Sequence, residues 1–252
     1  MELLLGYFNQ YKKVAIAFSG GVDSSYLIHI AKSAGCDVRA YFIKSQFQPR
    51  FELDDAVRLA GNIGIPLAIG TLDVLADPDI AGNPSNRCYF CKSAIFTLIK
   101  KLAEEDGFPF LFDGSNADDD ENDRAGMKAL KELGVASPLR ECGIRKTDIR
   151  RLSKQAGLFT HDKPSYACLA TRIPAGTHIT ADLLERIEGA ENILFGMGFS
   201  DFRVRLIPPD TAKLQILESE WDYAAGMRAD ILFELSRYFN SVVLDLTPRR
   251  FE

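Results

Sequence analysis

The stretch Val14-Ala15-Ile16-Ala17-Phe18-Ser19-Gly20-Gly21-Val22-Asp23-Ser24-Ser25 decides the fold. Its first five residues form a short continuous apolar run, the pattern of a strand covered on both faces. From Ser24 to Ala34 the apolar positions Leu27, Ile28, Ile30, Ala31 and Ala34 mark one face of a helix. Strand, tight turn and helix in that order open a parallel α/β sheet. The turn itself has chemistry. Glycines let a backbone approach phosphate oxygens, the following helix N-terminus presents unbonded N–H groups and a partial positive charge, and the serine hydroxyls add donors. The Lys-Ser/Thr pair of a Walker loop is absent, and the plainer alternative is an ordinary strand-to-helix turn.

Working outward, Val38 to Ile43 reads as a second strand. Leu53, Ala56, Val57, Ala60 and Ile63 mark a helix, and Pro66 to Ile69 starts a third strand. Residues 73–88, rich in Asp, Pro, Gly and Asn, read as a loop before a helix from Cys91 to Glu105. Phe108 to Phe112 reads as a buried strand running into Asp113-Gly114-Ser115-Asn116-Ala117-Asp118-Asp119-Asp120, the end of a parallel strand where open α/β sheets bind ligands. Helices are expected at 124–133 and 146–156. Beyond the Pro/Gly-containing stretch 164–176 the pattern changes: a helix N-capped by Thr180 through Met197, strands Phe202–Ile207 and Ala212–Leu217, a helix over 219–239 and a strand Val242–Leu246. The expected fold class is α/β, with a Rossmann-like parallel-sheet domain over 1–165 and a smaller α+β domain over 166–252.

Composition sets the outer limits. The 252 residues are 46% hydrophobic and 26% charged, as in an ordinary globular protein, which excludes disordered and fibrous classes. A net charge of −5 argues against a surface built mainly to neutralise nucleic acid. The opening MELLLGYFNQYKK lacks the positive lead of a secretory signal, and no apolar run approaches the roughly 20 residues that span a bilayer, so a cytoplasmic protein without membrane contact is expected. Five cysteines, Cys36, Cys88, Cys91, Cys142 and Cys168, fit reduced thiols better than a disulfide framework.

The loop SGGVDSS after VAIAF resembles the PP-loop of the N-type ATP pyrophosphatases, which cleave ATP between the α and β phosphates. That resemblance implies pyrophosphate on Ser19, Gly20, Gly21, Val22, Asp23, Ser24 and Ser25, with ATP and Mg²⁺ as the cofactors. Several carboxylates on one loop are costly to hold together without a cation or solvent, so Asp118 and Asp119 join Asp23 as candidate Mg²⁺ ligands, and Asn116 as a nucleotide contact. A solvated acidic turn is the alternative. Asp120, Glu121 and Asp123 receive no role.

Lys163-Pro164-Ser165-Tyr166-Ala167-Cys168-Leu169-Ala170-Thr171-Arg172-Ile173-Pro174 holds a thiol four residues before an arginine, and Arg172 or Lys163 would favour the thiolate if close. A small buried cysteine is the bland alternative. In order along the chain, SGGVDSS, RCYFCK, DGSNADD, SPLRE, KPSYACLATRIP and FRVR are similar to the LarE family. These ATP-dependent sacrificial sulfur transferases adenylate a carboxylate of pyridinium-3,5-biscarboxylic acid mononucleotide and convert it to a thiocarboxylate for the nickel-pincer nucleotide cofactor. The resemblance implies that Cys168 gives up its sulfur and ends as dehydroalanine, and that the protein is a homo-oligomer. It also places Tyr89, Lys92, Arg203 and Arg205 at the substrate, with Arg172, Glu191 and Asp222 as further candidate substrate contacts. Arg203 and Arg205 alternate on one strand and so share a face, which suits a phosphate or a dicarboxylate; a solvated sheet face is the alternative. After Arg205 the chain departs from the family pattern, with Leu206-Ile207-Pro208-Pro209-Asp210 and Lys213-Leu214-Gln215. Cys88 and Cys91 are half of a zinc pattern without a second half and read as structural. The competing functions are an amide ligase, a tRNA-thiolation enzyme of the same superfamily, or a nucleotide-binding module without catalysis.

Overall fold

The computed structural model describes residues 2–119 and 124–249. They form two compact units. Unit 1 comprises residues 1–74 and 86–163, and unit 2 comprises 75–85 and 164–252. The excursion 75–85, which lies within the span 1–165 expected for the first domain, packs with the second unit.

Unit 1 is built on a four-stranded sheet of order β3-β2-β1-β4, with β1 Lys13–Ala17, β2 Asp37–Lys44, β3 Leu67–Thr71 and β4 Leu111–Phe112. All three pairings are parallel, as in Val14 opposite Val38, Ala40 opposite Leu67 and Ile16 opposite Phe112. Parallel neighbours need crossover connections, which the helices supply. The helices of unit 1 are α1 Glu2–Phe8, α2 Val22–Ser33 and α3 Arg50–Ile63, then, past α4 Pro78–Ala81 of unit 2, α5 Arg87–Glu105, α6 Arg124–Glu132, α7 Pro138–Glu141 and α8 Lys146–Gln155, of which α2, α3 and α5 lie on the crossovers. Alternate strand residues enter opposite cores. Val14, Ile16, Val38, Ala40 and Phe42 pack with Leu4, Phe8, Leu27, Ile30, Leu59 and Ile149, whereas Ala15, Tyr41, Ile43 and Leu111 pack with Phe96, Ile99 and Leu130. Truncating a fully covered residue such as Ile16 to Ala would cost about 2–5 kcal/mol.

The sheet departs from the expected strands at β4, which keeps only Leu111–Phe112 of the expected 108–112. Pro109 has no N–H for a ladder, although the Ala15 N–H still reaches the Phe110 carbonyl at 2.8 Å. Helix α5 starts at Arg87 rather than Cys91. Inside the expected 73–88 loop, Asp77 caps α4 by accepting from the Asp79 N–H at 2.9 Å, with Pro78 in the first turn.

Unit 2 carries α9 Ala181–Gly196, whose N-cap Thr180 accepts from the Leu183 N–H at 3.2 Å, and a three-stranded mixed sheet of order β5-β6-β7. Strand β5 Arg203–Ile207 runs antiparallel to β6 Thr211–Gln215, and β7 Ser241–Leu244 runs parallel to β6. The single helix expected over 219–239 is divided into α10 Trp221–Gly226 and α11 Arg228–Leu235, the break falling at Gly226 and Met227, where glycine weakens helix continuity. No described helix is long and apolar enough to cross a membrane.

Candidate functional site

The phosphate loop of unit 1 leaves β1 and enters α2 through Ser19 to Ser25. Gly21 caps the helix without a side-chain acceptor, so the first-turn N–H groups of α2 are left for a ligand. The hydroxyls turn onto the loop. Ser19 Oγ and Ser24 Oγ lie 3.2 Å apart, the Gly21 N–H donates to Ser19 Oγ at 3.4 Å, and Ser25 Oγ donates to the Gly21 carbonyl at 2.6 Å. Gly20 sits at φ 72, in the left-handed region, and a Cβ there would meet the Glu52 carbonyl at 3.1 Å. The loop therefore needs glycine at this position for both conformation and space.

Asp23, in the first turn of α2, is the charged residue of this loop. Its Oδ2 accepts from Lys146 Nζ of α8 at 2.5 Å, while its buried Oδ1 has no hydrogen-bond partner. Burial pushes the Asp23 carboxyl up; Lys146 opposes that shift and the charge of Asp119 adds to it. A buried carboxylate oxygen without a donor is the group a cation would satisfy. Mg²⁺ characteristically takes one or two carboxylates together with substrate phosphates, so Asp23 fits it.

The loop after β4 abuts the phosphate loop, since a Cβ on Gly114 would come 2.9 Å from the Ser24 backbone nitrogen. Asp113, buried at the strand end, accepts from Ser137 Oγ at 2.5 Å and from the Ser115 hydroxyl. Burial raises its carboxyl, against the pull of those two hydroxyls and of the Lys92 charge. Asn116 is buried in a closed turn: its N–H and side-chain amide donate to Asp119 at 2.7 and 3.2 Å, and its Oδ1 accepts from the Asp118 N–H at 2.8 Å. Asp118 also accepts from the Lys146 N–H at 2.8 Å and so caps the start of α8. Asp118 and Asp119 are thus engaged in turn geometry, and the described residues contain no group of three His, Cys, Asp or Glu that could hold a metal. Asp120, Glu121 and Asp123 lie outside the described residues.

On α5, the Tyr89 hydroxyl donates to Glu132 of α6 at 2.7 Å, which raises its pKa, and the Lys128 ammonium lies 5.3 Å from the ring centre. Cys88 and Cys91 are half-buried and in no disulfide, with Arg87 Nη2 3.8 Å from the Cys88 sulfur.

Unit 2 gathers the remaining candidates into one buried network. Arg172 and Glu191, each 1% exposed, form a forked pair at 2.9 and 3.2 Å. The Tyr166 hydroxyl also donates to Glu191, and the Val204 N–H donates to it at 2.9 Å. Burial alone would depress the Arg172 guanidinium, but Glu191 outweighs burial and holds it up. Burial, followed by the charge of Glu191, raises the Tyr166 hydroxyl. Cys168 heads the short turn Leu169–Arg172, and its carbonyl accepts from Thr171 Oγ1 at 2.8 Å and from Arg172 Nη1 at 3.4 Å. The thiol is half-buried and in no disulfide.

Arg203 donates to Asp201 at 3.1 Å and to the Ser165 carbonyl, and Arg205 donates to Gln215 and to the Thr171 carbonyl, each at 2.5 Å. Their face of the sheet is therefore covered, and the solvated alternative fails for both. Burial first, then the like charges of Arg172 and Arg249, lowers Arg203 to about 10 and lowers Arg205 as well. Gln215, one of the departures from the family pattern, is what orients Arg205. Asp222 is exposed in the first turn of α10 and takes no part in these bonds.

Residues that sequence reasoning missed are Lys146 on Asp23, Ser137 on Asp113, Tyr166 on Glu191, and Asp201, which receives both Arg203 and Arg249. Only Tyr166 carried a local signal, as an aromatic two residues before Cys168.

Residues 12–69 match the tRNA methyl transferase HUP domain. An uncharacterized protein of Synechocystis sp. is 38% identical over 206 residues, covering 81% of this chain and 77% of that protein. The pyridinium-3,5-bisthiocarboxylic acid mononucleotide synthase of Lactiplantibacillus plantarum is 32% identical over 218 residues, 86% of this chain and 79% of the synthase. A tRNA-specific 2-thiouridylase of Clostridium botulinum is 28% identical over 182 residues, 60% of this chain and 52% of that enzyme. The parallel sheet with an open SGGVDSS loop at a helix N-terminus defines an ATP-using PP-loop protein of the HUP class. Within that class the chain belongs to the LarE family and is an ATP-dependent sulfur-transferring enzyme.

Proposed function

We propose that this enzyme adenylates a carboxylate of pyridinium-3,5-biscarboxylic acid mononucleotide and transfers to it the sulfur of its own Cys168, in the synthesis of the nickel-pincer nucleotide. A carboxylate is a poor acyl donor, so ATP must activate it first. The substrate carboxylate attacks the α-phosphorus, pyrophosphate leaves, and an acyl-adenylate forms. The Cys168 thiolate then attacks the acyl carbon and expels AMP, giving a thioester. Removal of the Cα proton of residue 168 breaks its carbon-sulfur bond, so the product leaves as a thiocarboxylate and dehydroalanine remains.

The observation that carries this reading is the placement of Cys168 at the head of a turn locked by Thr171 and the buried Arg172. In unit 1, Ser19 to Ser25 would take the pyrophosphate portion of ATP, and Asn116 would contact the nucleotide. Asp23, with its unpartnered Oδ1, would hold Mg²⁺ together with the ATP phosphates, while Asp118 and Asp119 shape the neighbouring loop. The bound metal would supply charge neutralisation to the phosphates. Arg172, Arg203, Arg205 and Arg249 outnumber the carboxylates around them, Glu191, Asp201 and, through Gln215, Asp245, and this excess of positive charge suits an anionic substrate. Tyr89 and Lys92, from the family resemblance, and Asp222, from its place in the second unit, are proposed as further substrate contacts. An odd number of cysteines, none of them in a disulfide, favours a reducing cytoplasm, and a homo-oligomer is the expected assembly.

Intact-protein mass tests the proposal. After reaction with ATP and substrate together, the chain should lose the mass of H₂S, roughly 34 Da as β-elimination of cysteine requires, mapped to Cys168. Cys168→Ser should still release pyrophosphate but form no thiocarboxylate. An unchanged Cys168 after stoichiometric product formation would refute the sacrifice. The second reading, sulfur transfer to tRNA, draws on the HUP match and the thiouridylase likeness, and is opposed by the net charge of −5. Sulfur recovered on tRNA rather than on the small molecule would select it.

A further inference from the structure

The phosphate loop contains a joint that should be loose. Gly20 and Gly21 are consecutive, Gly20 lies at φ 72, and neither has a Cβ to limit rotation of the peptide between them. Which way that peptide faces decides whether the loop offers an N–H or a carbonyl oxygen to an anion. In a planar trans peptide the two groups point in opposite directions, so fixing the carbonyl fixes the N–H.

The Gly20 carbonyl is held by Lys163. Its ammonium lies 3.3 Å from that oxygen, 2.6 Å from Asp55 Oδ2 and 5.4 Å from the centre of the Phe51 ring. Asp55 is itself steadied by Arg58 at 3.2 Å. The backbone of Lys163 is anchored too. Its N–H reaches the Thr160 carbonyl at 3.2 Å, and Arg150 Nη1 bonds the carbonyls of His161 and Lys163 at 3.0 and 2.9 Å. With the Gly20 carbonyl turned onto this ammonium, the Gly21 N–H is turned the other way, toward Ser19 Oγ and the hydroxyl pair it forms with Ser24.

We propose that Lys163 is a positioning residue for ATP, holding the Gly20–Gly21 peptide in the orientation that presents the Gly21 N–H to the β and γ phosphates. Lys163 is thereby distinguished from a direct phosphate ligand: its ammonium acts on the loop from behind, through a carbonyl, with Asp55 as the counter-ion that holds it there. The side chain is also the last of unit 1, five residues before Cys168 in the chain.

The test compares two ligands on the full chain by titration calorimetry: the magnesium complex of α,β-methylene-ATP, which cannot be cleaved between those phosphates, and AMP, which lacks the β and γ groups. Lys163→Met should weaken the ATP analogue by tenfold or more and leave AMP within about twofold, with little change in melting temperature. Lys163→Arg should recover most of the affinity, because a guanidinium can bridge the same carbonyl and carboxylate. If Lys163→Met does not fold, Asp55→Asn, which loosens the ammonium without removing it, carries the same comparison with a smaller selective loss. Parallel weakening of both ligands, an unchanged affinity for the analogue, or no recovery by arginine would overturn the proposal.

Discussion

The two units handle buried charge in opposite ways. In unit 1 the phosphate loop is left incomplete: first-turn N–H groups of α2 without a capping side chain, and an Asp23 oxygen that is buried with no donor. In unit 2 the guanidinium groups of Arg172, Arg203 and Arg205 are all bonded to protein acceptors. A site made of backbone can stand open cheaply, because contacts from behind, such as Lys163 on the Gly20 carbonyl, hold its shape without a ligand. Several arginines held within one network cannot, since each repels the others, and internal carbonyls and carboxylates keep them in place until an anion competes.

That contrast can be broken experimentally. Its strongest element is Asp23: Asp23→Ala should lower pyrophosphate release by about a thousandfold, roughly 4 kcal/mol of transition-state stabilisation, measured by release of labelled pyrophosphate from ATP. Release of ADP and orthophosphate by the parent enzyme would sink the assignment outright. Next comes the forked pair of unit 2. Glu191→Gln leaves the buried Arg172 without its counter-charge, and urea unfolding should show a loss of about 3 kcal/mol. If stability is unchanged, the pair is not the anchor of the 166–172 segment. Arg203→Ala or Arg205→Ala should weaken binding of the pyridinium dicarboxylate about tenfold, or 1.4 kcal/mol, while ATP binding stays intact. Equal losses for both ligands would dissolve the division of labour between the units.

The smallest effect sharpens the comparison from the acid side. Lys213 first, then the Thr247 N–H and the Gln215 amide, hold the Asp245 carboxyl down to about 2. A carboxyl depressed in the folded state binds fewer protons there than in the unfolded chain. Its contribution is therefore present above the ordinary carboxylate pKa and lost as pH falls toward 2. The stability difference between wild type and Asp245→Asn should be fully developed at pH 6 and shrink to a small remainder at pH 2, where the folded-state carboxyl is about half protonated. A difference as large at pH 2 as at pH 6 would assign it to packing.

The opening strand, turn and helix were legible because each is a local pattern: an apolar run, two glycines and a 3.6-residue stripe. Likewise the Asp113 to Asp119 loop could be placed at a strand end from the neighbouring apolar residues alone. The partners that give these groups their chemistry were not legible. Lys146 meets Asp23 across 123 positions of sequence, and Lys163 meets Gly20 across 143. No periodicity encodes such pairs. The strand containing Arg203 and Arg205 was readable as sharing one face, but its covering came from Ser165 and Thr171, in a segment with no regular structure to predict. Short helices such as α4 and α7 fall below the length at which a stripe can be seen; Asp77-Pro78 was nonetheless a start signal.

The excursion 75–85 has a consequence for how the chain is made. Asn83, 1% exposed, donates its side-chain amide to the Ile173 and Pro174 carbonyls at 3.4 and 2.8 Å, while the Gly176 and Ile179 N–H groups bond the Asn83 and Ala81 carbonyls, each at 2.8 Å. On the ribosome, Ile80, Ala81 and Asn83 emerge long before those partners exist, and at 5–20 residues per second they wait roughly 5–20 s. Nascent unit 1 therefore carries an uncovered apolar loop that only the last third of the chain can sheathe. A fragment beginning at Pro164 would lack the strap that fastens its own first turn, whereas the complementary fragment ending at Lys163 would keep all of unit 1 and carry that strap uncovered.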